Sequence, residues 1–447
     1  MPPDDDLSNL TYKMVHNNGF APVPVKDDRP ENFPIPFAGG PSLRIRHVVL
    51  IVKENRTYDE VFGDLSSVGG QELNGDPSLA RWGMDAEAGA DGQPTLEHVR
   101  VTPNQHALAE RFGLSDTYYV DSDVSMDGHH WLVDSYPNEW LETMWPPGYG
   151  HHSHFYYDND APGRMSLGGD SSVRPEDYLE AGSLWDHLAR HGTTFRNYGE
   201  GFGGDTDEGY KPTGMRLGFN DPMPGPLFAN TCRTYPMFNT SIPDQYRFEQ
   251  FKKEFEERYV SGREPLPQFI YIWLPNDHTA KPRPADGYAY RASYVADNDL
   301  ALGKLIDLFS HSKFWPQMAI FITEDDAQDG RDHVDAHRSL LLTVSPYSRR
   351  GASHVHTSML SILKTTELIL GLPPLNQYDA AATDLSDSFT NVQDLSPYVA
   401  LPSDTRVFDP AKARDPLYSL KHGKPLPPSD PLDDPARIRR EVDGGGN

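Results

Sequence analysis

The stretch that decides the fold is "IRHVVLIVKENRTYDEVFGDL", residues 45–65. Its segment "VVLIV" is apolar and rich in β-branched side chains, which predicts a buried strand covered on both faces. A chain that leaves such a strand usually meets a turn of Gly, Asn or Asp, whereas this one meets Lys53, Glu54, Asn55 and Arg56. The stretch therefore predicts a strand that delivers oxygen-bearing side chains and cations to one end of a sheet.

Apolar runs and helical patterns alternate along the rest of the chain. Further buried strands are predicted at 193–199, 267–274, 317–323 and 339–345. Amphipathic helices are predicted at 183–192, 296–312 and 356–372. The last of these ends at Gly371, with Pro373 and Pro374 beyond it, as is typical of a helix C-terminus. Strands and helices in alternation predict an α/β fold with a mostly parallel sheet.

Two Pro-rich segments flank the alternating region, which we expect to form the main domain over 45–402. Residues 1–44 predict an extended arm on the surface, and residues 403–447 predict a similar tail that ends in disorder. Residues 136–180 and 200–265 are rich in Gly, Pro, His and aromatic side chains with weak periodicity. We interpret these two stretches as insertions that form a cap over one end of the sheet.

The composition excludes several classes of function. The 447 residues carry 66 acidic against 40 basic side chains, a formal charge of −26, which argues against nucleic-acid binding. Cys232 is the only cysteine, so the chain can form neither an intramolecular disulfide nor a thiolate zinc site. No stretch approaches the roughly 20 apolar residues of a transmembrane helix. The sequence carries no signal for an oligomeric state.

The N-terminal segment "MPPDDDLSNL" is acidic and lacks the basic and apolar regions of a signal peptide. It fits either a cytoplasmic protein or the mature form of an exported one. We expect the second, a secreted or periplasmic enzyme, because the acidic composition is compatible with it.

Two more predicted strands end in polar clusters. In a parallel sheet, ligands bind outside the carboxyl ends of the strands, so the side chains at three such ends should meet: Glu54, Asn55, Asp277, His278, Asp325 and Asp326. One cluster of this kind is commonly a helix cap. Three clusters on buried strands would repel each other unless a cation lay among them. The sequence therefore predicts a metal site at this edge.

The ligand types narrow the choice of metal. Carboxylate and amide oxygens suit a hard or borderline divalent ion such as Ca²⁺, Mg²⁺ or Mn²⁺. Because His278, His333 and His337 lie close in sequence to the acids, a His-containing zinc or iron site is the alternative.

A nucleophile is predicted in "VDSDVSMDGHHW", residues 120–131. Ser125 precedes a helix predicted to begin at Met126 or Asp127, and a hydroxyl at a helix N-terminus lies among free backbone N–H groups that also bind phosphate. A metal near that oxygen would lower its pKa. The structural alternative for Ser125 is a plain helix N-cap, and Ser122 is the alternative nucleophile.

These motifs resemble a known family. "VVLIVKENRTYDEVFGD", residues 48–64, is similar to the opening motif of the bacterial phosphoesterase family that contains phospholipases C and a burst-inhibiting acid phosphatase. The usual form of that motif is Glu-Asn-Arg-Ser-Phe-Asp. Similar segments follow in order to about residue 376. The family belongs to the alkaline phosphatase superfamily, so the resemblance implies a doubly wound α/β sandwich with a metal at the carboxyl ends of its strands.

The resemblance also implies roles for individual residues. Glu54 and Asn55 would be metal ligands, and Asp325 and Asp326 would complete the site. Ser125 matches the phosphorylated nucleophile, which is itself bound to the metal. The family gathers histidines around the phosphoryl and leaving groups at positions that match His106, His278 and His333. The residues themselves add three candidates, with Asp277 as a ligand and two catalytic histidines, His129 and His337.

We therefore predict metal-dependent hydrolysis of a small phosphate ester through a phosphoserine intermediate. The phospholipase C branch usually has Thr in a segment that ends Pro-Asn-Arg, whereas Ser125 is followed by Met-Asp-Gly-His-His. The acidic pair Asp325-Asp326 is closer to the acid phosphatase branch. The enzymatic alternatives are a phospholipase C, a sulfatase or a phosphonate hydrolase, although "SMDGH" lacks the Cys/Ser-x-Pro/Ala-x-Arg motif of sulfatases. A metal-dependent binding module is the non-enzymatic alternative.

Overall fold

A seven-stranded sheet lies at the centre of the protein. The computed structural model describes residues 4–17, 29–37, 40–139, 142, 182–201, 225–236, 238–327 and 330–413. The strands, in chain order, are β1 (His47–Lys53), β2 (Ser67–Val68), β3 (Gln71–Glu72), β4 (Ala86–Ala88), β5 (Leu96–Val99), β6 (Leu114–Ser115), β7 (Tyr118–Tyr119), β8 (Phe195–Tyr198), β9 (Phe269–Leu274), β10 (Met318–Glu324), β11 (Leu341–Val344), β12 (Ala352–Ser353) and β13 (Thr357–Ser358).

Helices precede, connect and follow these strands. They are α1 (Asp4–Asn17), α2 (Tyr58–Phe62), α3 (Pro103–Phe112), α4 (Ser125–Asp134), α5 (Leu184–Arg190), α6 (Gly225–Asn230), α7 (Asp244–Glu254), α8 (Arg291–Ser310), α9 (Met359–Leu370) and α10 (Gln377–Ala381). A π-helical segment, Phe255–Val260, continues α7. No helix within these described parts of the chain has the length and apolar character needed to cross a membrane.

The central strands of the sheet are parallel. The order across the sheet is β12-β6-β11-β10-β1-β9-β8. Strand β1 pairs in parallel with both β10 and β9, and β8 continues the parallel set beyond β9. Strand β11 runs antiparallel to its two neighbours. The predicted mostly parallel sheet is therefore confirmed.

Side chains of β1 alternate between two hydrophobic cores. Val49 and Ile51 pack with α2, α3, α7 and α8, whereas Val48, Leu50 and Val52 pack with α4, α5 and α9. Each of these five side chains is at most 1 % exposed, and such burial stabilises the fold by about 1.5–3 kcal/mol per residue. Helices thus cover both faces of the sheet, which confirms the predicted α/β class.

The strands and helices predicted from periodicity are all present, with shifted ends. The helix predicted to begin at residue 296 begins at Arg291, because Ser293 Oγ accepts the backbone N–H of Tyr290 and caps an earlier turn. The helix at 356–372 ends as predicted, with Gly371 in the left-handed conformation at φ 73°.

The structure corrects the predicted arm and tail in part. Residues 4–17 form α1 and not an extended segment; this stretch has no Pro, and its initial acids favour a helix N-terminus. Residues 403–413 are ordered, and Val407 and Phe408 are buried against Tyr288. Prolines elsewhere in the two segments dominate their composition. The composition therefore did not predict the helix at 4–17 or the ordered residues at 403–413.

The predicted cap is also corrected in part. Residues 244–260 form α7 and its π-helical continuation, and Phe251 and Phe255 pack in the core beneath the sheet. This part of the predicted 200–265 insertion therefore belongs to a helical layer and does not cover the end of the sheet. Most of the predicted 136–180 insertion lies outside the described residues.

Candidate active site

Three strand ends lie side by side at one edge of the sheet. In the parallel register, Lys53 is opposite both Glu324 of β10 and Leu274 of β9. The residues that follow these positions, including Glu54 and Asp325, therefore emerge next to each other. This is the juxtaposition that the sequence predicted.

Glu54, His129 and Asp325 form a buried cluster at this edge. Nε2 of His129 lies 3.6 Å from Oε1 of Glu54 and 3.6 Å from Oδ2 of Asp325. One ligand-type atom from each residue falls within 4.8 Å of the others, and the side chains are at most 2 % exposed. Within the described residues, neither His129 Nε2 nor Asp325 Oδ2 has a hydrogen-bond partner.

Charge is unbalanced in this cluster. Burial raises the pKa of Asp325, and the neighbouring carboxylates of Glu54 and Asp326 raise it further, so it lies well above its ordinary value. Burial lowers the pKa of His129, but Glu200, Glu54 and Asp325 outweigh that effect and hold it well above its ordinary value. A divalent cation among these groups would relieve the repulsion between the carboxylates.

Ser125 lies beside the cluster as the first residue of α4. Its hydroxyl donates to Oδ2 of Asp326 at 2.8 Å and accepts from Nδ2 of Asn55 at 2.8 Å. Asn55 is in the left-handed region at φ 66°, which Asn tolerates better than most residues. Asn55 Oδ1 is buried and lacks a hydrogen-bond partner within the described part of the chain.

Helix α4 packs directly on the backbone after β10. A Cβ atom on Gly128 would collide with the carbonyl oxygen of Asp325, so glycine is required for this approach. Ser122 Oγ donates to the same carbonyl at 2.9 Å. The geometry thus places the Ser125 hydroxyl at the cluster and gives Ser122 a backbone partner instead.

Asp277, predicted as a metal ligand, bonds to Lys53 instead. Lys53 Nζ lies 2.7 Å from Asp277 Oδ2 and 2.6 Å from Glu324 Oε1, and none of the three side chains is exposed. Burial lowers the pKa of Lys53, but the two carboxylates outweigh it and keep the ammonium charged. Because successive side chains along a strand point to opposite faces, the side chains of Lys53 and Glu54 lie on opposite sides of β1.

Three predicted catalytic histidines bond to carboxylates outside the cluster. These pairs are His106 with Asp64 at 2.9 Å, His333 with Asp59 at 2.6 Å, and His337 with Asp123 at 2.9 Å. Asp59 and His333 also form a second acidic group with Asp332. The Arg338 guanidinium lies 3.0 Å from Asp59 and 2.9 Å from Asp332, so a cation of the chain occupies that group.

The structure places two aromatic rings between His278 and His129 of the cluster. It lies on the short turn Asn276–His278 after β9 and is half-buried. Its ring centroid is 5.4 Å from that of Phe238, which stacks on Trp273 at 5.6 Å. Trp273 contacts the His129 ring edge-to-face at 4.8 Å.

Sequence reasoning missed Glu200, a fully buried carboxylate. Its Oε2 lies 3.0 Å from Nδ1 of His129. Glu200 follows β8 by two residues, at the same edge of the sheet as the other clusters. The rule that polar residues at strand ends converge would have found it had the predicted strand 193–199 been included.

The chain matches no family model and no curated protein. Three solved structures illustrate what it is similar to. A protein in the alkaline phosphatase superfamily from Vibrio parahaemolyticus is 15 % identical, with coverage of 83 % of this chain and 77 % of that one and a TM-score of 0.44. The lipoteichoic acid synthase LtaP from Listeria monocytogenes is 13 % identical, with coverage of 85 % and 82 % and a TM-score of 0.46.

The PsFucS1 sulfatase from a Pseudoalteromonas species is 12 % identical, with coverage of 87 % of this chain and 78 % of that one and a TM-score of 0.44. The Vibrio protein is described as a member of the alkaline phosphatase superfamily. The family that the sequence motifs resemble belongs to the same superfamily.

Proposed function

We propose that the protein is a metal-dependent hydrolase of small phosphate esters with Ser125 as its nucleophile. One observation carries the proposal. The Ser125 hydroxyl lies at the start of the ten-residue helix α4, bonds to Asp326 and Asn55, and adjoins a buried cluster of two carboxylates and an imidazole. These contacts support the roles that we propose, with Ser125 as nucleophile, Asp326 as base and the cluster as cation site.

The cluster residues fit a divalent metal ion. Glu54, His129 and Asp325 would hold it, with Asn55 and Asp326 beside them. The support is that His129 Nε2, Asp325 Oδ2 and Asn55 Oδ1 are buried without hydrogen-bond partners among the described residues, and such atoms are costly unless something binds them. When bound, a divalent ion offsets the charge of the phosphoryl oxygens.

Ser125 and its neighbours would carry out the transfer. Asp326 accepts the hydroxyl proton as Ser125 Oγ attacks phosphorus, and the bond from phosphorus to the ester oxygen breaks. The positive end of the α4 dipole at this N-terminus would stabilise the charge of the phosphoryl oxygens. His278 is the candidate that protonates the leaving oxygen. Water then cleaves the phosphoserine, which restores the hydroxyl and releases phosphate.

Sulfate esters are the alternative substrates that an assay must separate. The residues that follow Ser125 do not form the motif in which sulfatases modify a Cys or Ser, and this favours phosphate. A pure binding role would leave Ser125 without any chemical function.

The test uses the purified chain with aryl phosphate monoesters, aryl phosphate diesters and aryl sulfates, each assayed with Mg²⁺, Ca²⁺, Mn²⁺ and Zn²⁺. We expect turnover of phosphate esters, and acid quenching during turnover should trap phosphate on the peptide that contains Ser125. Ser125→Ala should lose on the order of 10³-fold or more in rate while it retains its metal.

Ser122→Ala is the matched comparison, because it removes a hydroxyl three residues away that bonds only to the Asp325 backbone among the described contacts. We expect it to lose less than about tenfold in rate. Phosphate trapped on Ser122, turnover confined to sulfate esters, or an active Ser125→Ala would each contradict the proposal. No turnover of any ester by metal-loaded protein would favour a binding module.

A further inference from the structure

The donor set of the cluster differs from that of a typical site for a hard ion. Two of its three members are carboxylates, but the third is the imidazole of His129, and all three are buried. Ca²⁺ takes six to eight oxygen ligands and Mg²⁺ keeps several waters and oxygens. Imidazole nitrogen suits first-row transition metals. The carboxylates alone suggest Ca²⁺ or Mg²⁺, whereas the described ligands together match a first-row transition metal.

Glu200 fixes the orientation of this imidazole. Its Oε2 lies 3.0 Å from His129 Nδ1, so Nδ1–H donates to the carboxylate. A metal that displaces the Nε2 proton would then bind to the lone pair of Nε2. Nε2 is the atom that faces Glu54 and Asp325, at 3.6 Å from each. A carboxylate behind a histidine in this manner both sets the tautomer and raises the basicity of the ligating nitrogen.

Glu200 is itself anchored by its backbone. Asn197 Nδ2 donates to the Glu200 carbonyl at 2.8 Å, and the Glu200 N–H donates to Asn197 Oδ1 at 3.1 Å. The hydroxyl of Tyr271 lies 3.5 Å from His129 Nδ1, and the ring of Trp273 meets the imidazole edge-to-face. The imidazole is thus held from its outer side, with only Nε2 directed into the cluster.

We propose that this cluster selects a first-row transition-metal dication, such as Mn²⁺, Fe²⁺ or Zn²⁺, over Mg²⁺ and Ca²⁺, and that Glu200 is the positioning residue that makes His129 a ligand. The inference rests on the metal site of the proposed function but not on the ester that is cleaved. The competing role for His129 is a buried cation that pairs with Glu54, Asp325 and Glu200 and leaves no place for a metal.

The experiment measures metal binding directly on the full chain after treatment with a chelator. Titration calorimetry with Mn²⁺, Zn²⁺, Mg²⁺ and Ca²⁺ gives the order of affinities, and we expect Mn²⁺ and Zn²⁺ ahead of Mg²⁺ and Ca²⁺. Electron spin-echo spectra of the Mn²⁺-loaded protein should show ¹⁴N modulation from the imidazole. His129→Gln should lose that modulation.

The variant Glu200→Gln tests whether Glu200 positions His129 for metal binding or is merely a buried carboxyl. It should weaken Mn²⁺ affinity by about 10–100-fold while the ¹⁴N modulation of the fully loaded variant remains. Glu367→Gln is the matched control, because it changes another buried carboxyl, on α9, and should leave the Mn²⁺ affinity and spectrum unchanged. If Glu200→Gln does not fold, two measurements still test the proposal. They are the order of metal affinities of the unaltered protein and the ¹⁴N modulation of His129→Gln.

Two results would overturn the inference: Mg²⁺ or Ca²⁺ binding as tightly as Mn²⁺, or ¹⁴N modulation that persists in His129→Gln. Failure of the proposed function looks different. Nitrogen-ligated Mn²⁺ in a protein that cleaves no ester would leave this inference standing and refute the hydrolase. Ester cleavage by a metal-loaded protein without ¹⁴N modulation would do the reverse.

Discussion

Lys53 and Glu54 are neighbours in sequence, but they belong to two acidic clusters of opposite character. On one side of β1, the Lys53 ammonium lies within 2.7 Å of both Asp277 and Glu324. On the other side, Nε2 of the His129 imidazole lies 3.6 Å from Glu54 and 3.6 Å from Asp325. Among the described residues, the first cluster contains a permanent cation of the chain, and the second contains no Lys or Arg. From this difference we infer that the first cluster stabilises the fold and that the second is the proposed metal site.

A further acidic group supports this distinction. Asp59 and Asp332 lie close enough to bind a metal with His333, but the buried Arg338 guanidinium contacts both carboxylates. Carboxylates near one another therefore do not identify a metal site on their own. Whether a Lys or Arg already lies among them is the more informative observation.

The largest expected effect comes from the cluster without a permanent cation. Asp325→Asn should reduce kcat/KM by about 10³-fold or more and abolish stoichiometric metal binding, because it removes a charged ligand. The thermal midpoint should change little, since no Lys or Arg among the described residues pairs with Asp325. Steady-state kinetics, metal analysis and a thermal melt check the three expectations together. Full activity of this variant in the presence of a chelator would show that the cluster is not the metal site.

The opposite outcome is expected for the cluster around Lys53. Lys53→Met leaves Asp277 and Glu324 buried without their cation, which should reduce the free energy of unfolding by about 3–5 kcal/mol. Urea denaturation measures the loss. The variant Lys53→Met/Glu324→Gln is the control, because it removes one of the two stranded charges and should recover part of the stability. An unfolding curve that superimposes on that of the unaltered protein would remove the structural role of Lys53.

Glu367 and Asp379 form a carboxyl pair far from the strand ends. At this pair, a bound proton reduces the repulsion that Lys53 or Arg338 reduces in the other acidic groups. Burial, followed by the nearby Asp379 charge, raises the pKa of Glu367 from 4.5 to about 10. The folded state therefore binds this proton more tightly than the unfolded state, so its contribution to stability is complete below the unfolded value and decreases as pH rises towards 10. We expect a loss of up to about 1.4 kcal/mol per pH unit within that window.

Glu367→Gln removes this titration and should flatten the pH dependence of the free energy of unfolding between about pH 5 and pH 9. Chemical denaturation of both proteins across this range gives the difference. Parallel curves would mean that Glu367 titrates alike in the folded and unfolded chains.

The smallest effect is expected at His333, where the sequence predicted a catalytic role. Its side chain is 32 % exposed and pairs with Asp59, which keeps its contact with Arg338. His333→Asn should therefore change the free energy of unfolding by less than about 1 kcal/mol and leave kcat/KM nearly unchanged. Aryl phosphates with good and poor leaving groups provide the measurement, with His278→Asn as the comparison. A loss confined to poor leaving groups in His333→Asn would restore its predicted role as general acid.

The sequence predicted the sheet and its active edge because both depend on local patterns. Apolar runs such as 48–52 identify buried strands, and parallel pairing then brings their carboxyl ends together whatever the loops do. This placed Glu54 and Asp325 at the same edge without any knowledge of the connecting segments. The helix start at Ser125 was predicted for a similar reason, and α4 begins at this residue. The role of Ser125 as nucleophile, which also came from the family resemblance, stays a prediction.

The predicted site residues that lie outside the cluster have partners from distant segments of the chain. Asp277 lies on a short turn after Pro275, where strand alternation no longer fixes the direction of a side chain, and it turns towards Lys53. The partners of His106 and His333, namely Asp64 and Asp59, belong to the chain around α2. No spacing rule connects such loops, so their pairing emerges only from the packed structure.

The alternation at the end of β1 and β10 also constrains how this protein can evolve. Lys53-Glu54 and Glu324-Asp325 are adjacent residues that serve opposite faces of the sheet, in one shared register. Insertion or deletion of a single residue within β1 would exchange the two faces, so Lys53 would enter the ligand cluster and Glu54 would enter the ion pair. The same change within β10 would exchange Glu324 and Asp325. Point substitutions can be sampled one by one, but a change of length would destroy both clusters at once. Libraries for laboratory evolution should therefore vary side chains within these strands and reserve changes of length for the surface loops.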